Sequence, residues 1–239
     1  MKNTILFSAY VFDALGELEE NVKRGEPRDV NLDLFTPEQW DIFNKTMIEI
    51  GGSNAEEIAK ILPKKSEWKT VLDIGGSHGL HTIAYCNKIP GMKGTILDLK
   101  PVEKYANEVI REKKMSDRVK FLVGDALKDN FDKKYDVIFA FNLIHGLKDD
   151  INLRLTKKIY QALNPGGMYV ILDQIKNASG NSDLAKTVAA AQGLMLFNQA
   201  GGKTYSFSEV EKWFNEVGLK EVKMKKLRAP GNALIYGFK

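Results

Sequence analysis

Cysteine is nearly absent from this chain, since Cys86 is the only one in 239 residues. A single thiol cannot form an internal disulfide, so the sequence does not belong to the disulfide-rich secreted class. We therefore expect a reducing location, the cytoplasm. Cys86 lies on the apolar side of a predicted helix, and a small buried hydrophobe is its simplest interpretation.

Long apolar runs, internal repeats and a strong charge bias are missing as well. The apolar segment 5–18 is interrupted by polar residues, is too short to span a bilayer and has no small-residue cleavage pattern. The net charge is only +4, and the densest basic run, 223–228, alternates with apolar residues as a solvated edge strand does. We expect neither a membrane nor a nucleic-acid partner.

What remains is the composition of a soluble globular protein, with 44% hydrophobic and 28% charged residues. Residues 1–65 are predicted to be helical, with helices over 4–20, 36–50 and 53–62. From residue 66 onward, predicted strands and helices alternate. Such alternation is typical of a parallel sheet with helices on both faces. We therefore predict a helical cap, residues 1–65, followed by a cofactor-binding domain, residues 66–239.

The predicted strands of the second part end in a hairpin. Five of them alternate with helices and two close the chain, at 69–74, 93–98, 118–123, 135–140, 167–173, 220–227 and 232–238. The predicted helices lie at 79–88, 101–113, 150–163, 183–198 and 206–217.

The stretch 71–79, Val-Leu-Asp-Ile-Gly-Gly-Ser-His-Gly, organises the rest of the chain. A short buried strand is followed by a glycine turn and the start of a helix. There, backbone N–H groups and the helix dipole point at a ligand. Gly75, Gly76 and Gly79 allow the backbone to turn sharply and a ligand to come close.

Three interpretations of this turn compete. A dinucleotide site needs glycine at positions 75, 77 and 80, and the chain has Ser77 and Leu80 at two of these. A nucleophile elbow fits Gly75-x-Ser77-x-Gly79, but that elbow normally follows several strands, and the residues before this one are predicted to be helical. The third is the S-adenosylmethionine site of class I methyltransferases, which this turn resembles because Asp73 stands two residues before the first glycine.

Two more acids follow predicted strands. Asp98 ends the next apolar run about 20 residues after Gly79, the distance at which an acid can accept both ribose hydroxyls. Asp125 follows the run 119–123. Each carboxylate alone could be a solvated strand end. Three at consecutive strand ends favour a nucleoside-cofactor site.

Candidate catalytic groups follow the fourth and fifth predicted strands. His145 comes after 135–141 and Asp173 ends the fifth strand, so the topology predicts that they are neighbours. A histidine beside a carboxylate is a plausible general base and its orienting group. His78 and His81 have no partner at metal-ligand spacing. We interpret both as polar surface or turn residues and expect no metal.

Several motifs together resemble the class I small-molecule O-methyltransferases, the group that contains hydroxyindole and plant phenolic enzymes. The matching segments are 73–79, Asp98, Gly124-Asp125, 142–146 with Asp149-Asp150, Asn164-Pro165-Gly166-Gly167 and Gly201-Gly202-Lys203. The resemblance implies an α/β fold, a doubly wound, seven-stranded Rossmann-like sheet that is mostly parallel with a final antiparallel hairpin. It also implies methyl transfer from S-adenosyl-L-methionine to a hydroxyl of a small aromatic molecule.

The resemblance further implies roles for individual residues. In that family the histidine matching His145 takes the proton from the acceptor hydroxyl, and an acid matching Asp173 holds it. The implied cofactor contacts are Asp73, Gly75, Gly76, Ser77, Gly79, Asp98, Leu99, Gly124, Asp125, Ala126 and Asn142. The implied acceptor contacts are Phe43, Met47, Met195 and Gln199.

The chain departs from the plant enzymes in three ways. They follow the histidine with Asp-Trp where this chain has Gly146-Leu147, they have an acid at the place of Thr204, and they carry an N-terminal winged-helix dimerisation domain. Two alternatives stay open: a C- or N-methyltransferase acting on a quinone or small metabolite, and a non-catalytic cofactor-binding protein. The apolar segment 5–18 predicts a homodimer through the N-terminal helices.

Overall fold

The computed structural model describes residues 2–27, 35–131, 133–176, 178, 183–228 and 231–239. The helices are α1 (Lys2–Leu15), α2 (Leu18–Arg24), α3 (Pro37–Gly51), α4 (Ala55–Ile61), α5 (Leu80–Lys88), α6 (Glu103–Glu112), α7 (Asp149–Ala162), α8 (Asp183–Ala200) and α9 (Phe207–Val217). The strands are β1 (Thr70–Ile74), β2 (Lys93–Asp98), β3 (Val119–Val123), β4 (Tyr135–Phe141), β5 (Leu163–Lys176), β6 (Tyr205–Ser206), β7 (Lys220–Lys226) and β8 (Asn232–Phe238).

The strands form one twisted sheet in the order β3-β2-β1-β4-β5-β8-β7, with β6 paired to β5 outside this path. β1 to β5 are parallel, and β8 runs antiparallel to both β5 and β7. The predicted fold class and the final hairpin are therefore confirmed. The chain moves outward from β1 to β3 and then returns to β4 on the other side of β1. This reversal opens a crevice at the carboxyl ends of β1 and β4, where ligands bind in open α/β sheets.

Alternate residues of the central strands face two apolar layers, as the pleat of a strand requires. On β1, Val71 faces the layer that includes Tyr85 of α5, whereas Leu72 faces the layer that includes Trp213 of α9. A fully buried large apolar side chain contributes about 1.5–3 kcal/mol to the free energy of unfolding. The layers therefore hold the strand ends, and the side chains that follow them, in fixed positions.

The helix predicted over residues 4–20 is two helices, so that prediction was wrong in its middle. α1 ends at Leu15 and α2 begins at Leu18. Between them Gly16 makes a turn in which its N–H donates to the Asp13 carbonyl at 3.1 Å. Glycine costs about 1 kcal/mol relative to alanine inside a helix, so a break is favoured there.

The predicted seven strands omitted β6. Tyr205 and Ser206 pair with Ile175 and Lys176 of β5 in a parallel bridge. Two residues are too few to produce an alternating pattern that sequence inspection can detect.

The fifth strand was predicted over 167–173 with Asp173 at its end, and that was too short at both ends. β5 runs from Leu163 to Lys176 because Leu163 pairs with Tyr135 of β4 and Ile175 pairs with Tyr205 of β6. The other strands lie where they were predicted, and β7 is the basic edge strand that the run 223–228 indicated.

Polar contacts fasten α1, α3 and α8 into a cluster at the carboxyl edge of the sheet. Glu49 of α3 accepts hydrogen bonds from the Asn3 side-chain amide and the Thr4 hydroxyl, both at 2.7 Å. On the other side of α1, Asn198 of α8 donates to the Ala14 carbonyl at 2.8 Å. The cluster forms a cover near the crevice. None of the helices in the described parts of the chain has the length and apolarity needed to cross a membrane.

Candidate active site

The glycine turn after β1 has a backbone that only certain residues adopt. Gly75 and Gly79 have φ angles of 65° and 71°, in the left-handed region. A Cβ built on Gly79 would lie 2.1 Å from Cδ1 of Ile96, so a side chain there would collide with β2. Ser77 has a φ of 45°, which is unusual for a residue other than glycine. A strained backbone persists only where the surrounding structure fixes it, and such residues are concentrated at functional sites.

Asp73 lies beneath this turn and is buried. The Thr82 hydroxyl donates to its Oδ2 at 2.6 Å. Burial raises the pKa of Asp73 to about 7, and the Thr82 hydrogen bond offsets only part of that effect. Its other oxygen, Oδ1, has no hydrogen-bond partner among the described residues, so it is available to a donor that enters the turn.

Asp98 at the end of β2 closes the turn from the other side. Its Oδ2 accepts the Ser77 N–H at 2.8 Å, and its Oδ1 accepts the Leu99 N–H at 2.7 Å. Burial raises the pKa of Asp98, and the two backbone N–H groups partly counteract the rise. The acid predicted from its distance to Gly79 is therefore beside the turn.

The end of β3 brings the third acid to the same edge. The Gly124 N–H donates to the Asp98 carbonyl at 3.0 Å. Asp125 is half-buried, accepts the Leu127 N–H at 2.8 Å and forms an ion pair with Lys128 at 3.0 Å. Burial raises its pKa, but these two partners outweigh burial and hold it below the usual value. Ala126 follows, half-buried, with its carbonyl held by Lys158 at 2.8 Å.

β4 ends at the crevice in a second strained residue. Asn142 has a φ of 51°, and its N–H donates to the Leu172 carbonyl of β5 at 2.7 Å. The chain then makes a single 3-10 turn, Ile144–Gly146, which carries His145. Asn142 is exposed at the carboxyl edge of the sheet, the same edge that Asp98 occupies on β2.

His145 and Asp173 form a direct pair. Nδ1 of His145 lies 2.7 Å from Oδ1 of Asp173, which is fully buried. Burial disfavours the imidazolium, but the charge of Asp173 and its hydrogen bond outweigh burial and raise the pKa of His145 above its ordinary value. Because Nδ1–H donates to the carboxylate, the other ring nitrogen, Nε2, is left to accept a proton.

Four hydrogen bonds from three residues, of which sequence inspection missed Asn152 and Tyr205, hold the His145 turn. The buried Asn152 donates to two carbonyls of the turn, at 3.0 and 3.2 Å. The Tyr205 hydroxyl donates to the carbonyl of Leu147 at 2.5 Å, and the Lys203 N–H donates to the His145 carbonyl at 3.0 Å. The turn is therefore fixed by α7, β6 and the segment before β6.

Gly202 explains why small residues precede β6. A Cβ built on Gly202 would lie 1.7 Å from the His145 carbonyl oxygen, so only glycine allows this approach. The motif Gly201-Gly202-Lys203 was noticed as part of the family resemblance. Asn152 and Tyr205 belong to no motif of that kind, and each bonds to the backbone of a different structural element.

A comparison with family models identifies the family of this chain. The model described as the O-methyltransferase domain matches residues 34–220, which is most of the chain. This chain belongs to the O-methyltransferase domain family. The predicted resemblance is confirmed.

Individual relatives of this O-methyltransferase-family chain support the assignment. It is similar to L-tyrosine C(3)-methyltransferase of Streptomyces lavendulae, with 26% identity over 96% of the chain and 66% of the relative. Mitomycin biosynthesis 6-O-methyltransferase of the same organism is 27% identical over 77% of the chain and 51% of the relative. An O-methyltransferase family 2 protein of Planctomyces limnophilus, solved with apigenin, superposes with a TM-score of 0.74 at 28% identity, over 84% of this chain and 61% of that one. The chain spans between about half and two thirds of the length of these curated relatives.

The cofactor of the O-methyltransferase domain family is S-adenosyl-L-methionine. Two solved proteins of the same fold were captured with S-adenosylmethionine and with S-adenosylhomocysteine. The residues of the turn fit such a group. Within the described residues, Asp73 Oδ1 and the Ser77 hydroxyl are buried without a hydrogen-bond partner, which an ordinary packed turn avoids. A Cβ on Gly76 would lie 2.6 Å from the Asp73 carboxyl carbon, so the backbone is kept close to that acid.

The four predicted acceptor residues lie on the two cover helices α3 and α8. Phe43 and Met47 are half-buried, and the Phe43 ring packs edge-on against Phe7 of α1 with centroids 5.8 Å apart. Met195 is 37% exposed and Gln199 is half-buried, on the helix that contacts the His145 turn. The structure thus places both pairs near the crevice, on separate helices.

Asn44 is a polar residue that the sequence analysis overlooked. It lies between Phe43 and Met47 and is buried, with its amide donating to the Trp40 carbonyl at 2.8 Å. Its Oδ1 has no partner among the residues that the structure describes. The signal available in the sequence was a polar residue between the apolar positions 43 and 47 of a predicted helix.

The interpretation of His78 and His81 as surface residues was wrong. His78 is in the turn, as suggested, but it is only 5% exposed, and His81 on α5 is 7% exposed. His78 Nδ1 accepts the Leu80 N–H at 3.0 Å, and His81 Nε2 lies 2.9 Å from the Asn54 side-chain oxygen. Histidine is intermediate in burial preference, so its environment depends on which elements pack over it.

Proposed function

We propose that this chain transfers a methyl group from S-adenosyl-L-methionine to a hydroxyl of a small aromatic acceptor, with His145 as the general base. The observation that carries the proposal is the His145–Asp173 pair at 2.7 Å, located at the same sheet edge as the turn of Asp73 and Asp98. A base and a nucleoside-binding edge side by side suit the activation of a hydroxyl next to a methyl donor.

We assign the cofactor to the carboxyl edge of β1, β2, β3 and β4. Asp98 would accept the ribose hydroxyls, and Asp73 with the glycine turn would receive the charged amino-acid end. The remaining contacts in this assignment come from residues around these acids, namely Gly75, Gly76, Ser77, Gly79, Leu99, Gly124, Asp125, Ala126 and Asn142. Both oxygens of Asp98 accept backbone N–H groups, one from Ser77 in the turn and one from Leu99, the next residue.

In the proposed reaction His145 takes the acceptor proton on Nε2. A phenol has a pKa near 10, so at neutral pH a base is needed to generate the attacking oxygen. Asp173 holds the Nδ1–H tautomer and stabilises the imidazolium that forms. The bound S-adenosylmethionine supplies an activated methyl group on a sulfonium. The main contribution of the protein is alignment of the two reacting groups.

The acceptor pocket in this proposal lies between α3 and α8, under the helical cap of residues 1–65. Phe43, Met47 and Met195 would supply apolar and polarizable walls suited to an aromatic ring. Gln199 and the unpaired Asn44 oxygen would contact polar substituents of the acceptor. We retain in this proposal the division of the chain into a helical cap, residues 1–65, and a cofactor-binding domain, residues 66–239.

Two measurements test the function. Calorimetric titration with S-adenosylhomocysteine and NAD should detect binding of the first only. Incubation with methyl-labelled S-adenosylmethionine and a panel of phenols, followed by NMR of the products, should detect an O-methyl group. A methyl group on carbon or nitrogen would support the alternative enzyme, and the similarity to the tyrosine C(3)-methyltransferase makes tyrosine an essential panel member. Binding without transfer to any acceptor would indicate a non-catalytic protein.

The Asp173→Asn substitution is expected to change the pH profile of turnover. His145 works as a base only when neutral, so turnover rises with pH through its pKa, which lies above 6.5 in the parent. Removal of the Asp173 charge lowers that pKa, so the acidic limb should move to lower pH. The maximal rate should fall by about 10²-fold or more because the tautomer is no longer held.

The matched control is Asp150→Asn at a position that is exposed and ion-paired only with Arg154 in the described contacts. This substitution should leave both the acidic limb of the pH profile and the maximal rate of turnover unchanged. An unmoved acidic limb in Asp173→Asn would mean that another group controls the profile.

We also propose a homodimer through α1. All 14 residues of α1 are at least partly exposed, with Ile5 at 69% and Phe12 at 74% exposure. A second copy can cover such a face with the same face of its own helix, as two-fold interfaces do.

Light scattering should give twice the chain mass of 26.9 kDa for the parent and the single mass for Phe12→Asp. The control Val22→Asp places the same charge on α2 at a position 54% exposed and should remain dimeric. A parent that is monomeric at high micromolar concentration would contradict the dimer.

The proposed location is the cytoplasm. The single thiol, Cys86, is free and buried on α5 as predicted, which suits a reducing compartment.

A further inference from the structure

Two buried imidazoles connect the cofactor turn with the cover helix α3. His78 is part of the turn itself, and its Nδ1 accepts the Leu80 N–H at the first residue of α5. Because a neutral ring has one donor and one acceptor, the proton is on Nε2. The Met47 backbone carbonyl of α3 faces this ring and favours its protonated form. One side chain therefore connects the turn to the end of a helix that borders the proposed acceptor pocket.

This ring is buried, 5% exposed, and lies directly against the end of α3. Its Nε2 would lie 2.1 Å, and its Cε1 2.5 Å, from a Cβ built on Gly51, so the last residue of α3 must be glycine for the ring to fit. The contact is so close that a shift of the turn moves either the ring or the end of α3. Close-packed groups of this kind transmit displacements instead of absorbing them.

His81 extends the connection in two directions. Its ring lies 5.7 Å from the His78 ring, centroid to centroid. Its Nε2 is 2.9 Å from the side-chain oxygen of Asn54, the residue before α4. Its ring also meets Phe141 edge-on at 5.2 Å, and Phe141 is the last residue of β4 before the segment that carries His145. Burial lowers the pKa of His78 to about 4 and that of His81 to about 3, so both rings are neutral near pH 7.

We propose that His78 and His81 are positioning residues that couple occupation of the cofactor turn to the order of α3, and so prepare the acceptor pocket when the cofactor is bound. The inference rests on the proposed function, because it assigns that turn to the cofactor. Neither ring is proposed to touch the reacting atoms. The consequence is an energetic coupling between the two binding sites, which for comparable systems amounts to about 5–150-fold in affinity.

Hydrogen exchange with S-adenosylhomocysteine as the only ligand tests the coupling without any knowledge of the acceptor. In the parent, saturation with S-adenosylhomocysteine should slow amide exchange in residues 42–52 by about fivefold or more. His78→Asn keeps an acceptor for the Leu80 N–H but is too short to reach the Met47 carbonyl. It should still bind S-adenosylhomocysteine, and its exchange in residues 42–52 should no longer respond.

A glycine pair provides a second, independent test. Gly51→Ala places a methyl group against the His78 ring and should abolish the response. Gly52→Ala adds the same methyl group one residue later, where the nearest atom on the cofactor side is Cδ1 of Leu80 at 3.6 Å, and should preserve it. If His78→Asn does not fold, the comparison of Gly51→Ala with Gly52→Ala still tests the coupling between the cofactor turn and α3.

The outcomes separate the two proposals. Binding of S-adenosylhomocysteine without any slowing of exchange in the parent would overturn the coupling alone. An unchanged response in His78→Asn, or equal responses in the two alanine variants, would do the same. No binding of S-adenosylhomocysteine to the parent would overturn the proposed function and, with it, the ligand that this coupling requires.

Discussion

Replacement of His145 by alanine is expected to lower kcat for the methylated phenol by about 10²–10⁴-fold, the usual contribution of a positioned general base. The side chain is placed for that function because Asp173 orients it at 2.7 Å and its backbone is held by α7 and β6. Affinity for S-adenosylhomocysteine should change by less than about threefold, since the cofactor is assigned to other residues. Steady-state kinetics and calorimetry on the same preparation measure both quantities.

The control for this experiment is Lys148→Ala, three residues further along and exposed. It should behave as the parent does. Full turnover in His145→Ala would remove the general-base function from His145 and direct attention to acceptors that need no base, such as carbon or nitrogen nucleophiles. A large loss of cofactor affinity would instead indicate that His145 supports the cofactor edge.

Replacement of Asp98 by alanine should weaken binding of S-adenosylhomocysteine by at least about 100-fold. Hydrogen bonds to a charged group contribute about 1.5–3 kcal/mol each, and Asp98 is assigned two of them to the ribose. The substitution also removes the acceptor of the Ser77 N–H, so the glycine turn loses its anchor to β2. Calorimetric titration of the variant against the parent measures the loss directly.

Two variants make this result interpretable. Asp98→Asn retains one acceptor oxygen and should show an intermediate loss. Asp117→Ala removes an exposed carboxylate before β3 and should leave affinity unchanged. Unweakened binding in Asp98→Ala would mean that the cofactor does not lie at the end of β2.

Much of this fold follows from local chemistry. The period-2 runs and the glycine and proline stops were enough to locate seven of the eight strands in the described residues, because a buried strand leaves a continuous apolar signal. The helix starts predicted at residues 36 and 206 are confirmed, and in the structure Thr36 and Ser206 each form a capping box there. The break at Gly16 and the two-residue β6 were missed, since each depends on one or two residues.

The candidate site also contains residues that the sequence identified and residues that it did not. Asp73, Asp98, Asp125, His145 and Asp173 were all identified from their positions close to the predicted carboxyl ends of strands, because parallel topology carries such residues to one edge. The partners that hold them, Asn152 and Tyr205, were not identified. Their hydrogen bonds reach across 5 and 58 residues to the carbonyl of Leu147, and nothing in their own neighbourhood signals such a contact.

By itself the sequence determined the fold class and the edge at which chemistry-bearing residues gather. These depend on periodicity, on turn residues and on strand ends, which are properties of a few consecutive residues. The family came from the resemblance of its motifs to the O-methyltransferases. Only the tertiary structure decided that His78 and His81 are buried, that Gly51 must be glycine, and that α3 is tied to the cofactor turn. Burial and contact depend on which distant elements pack together, and one residue's position in the chain does not carry that information.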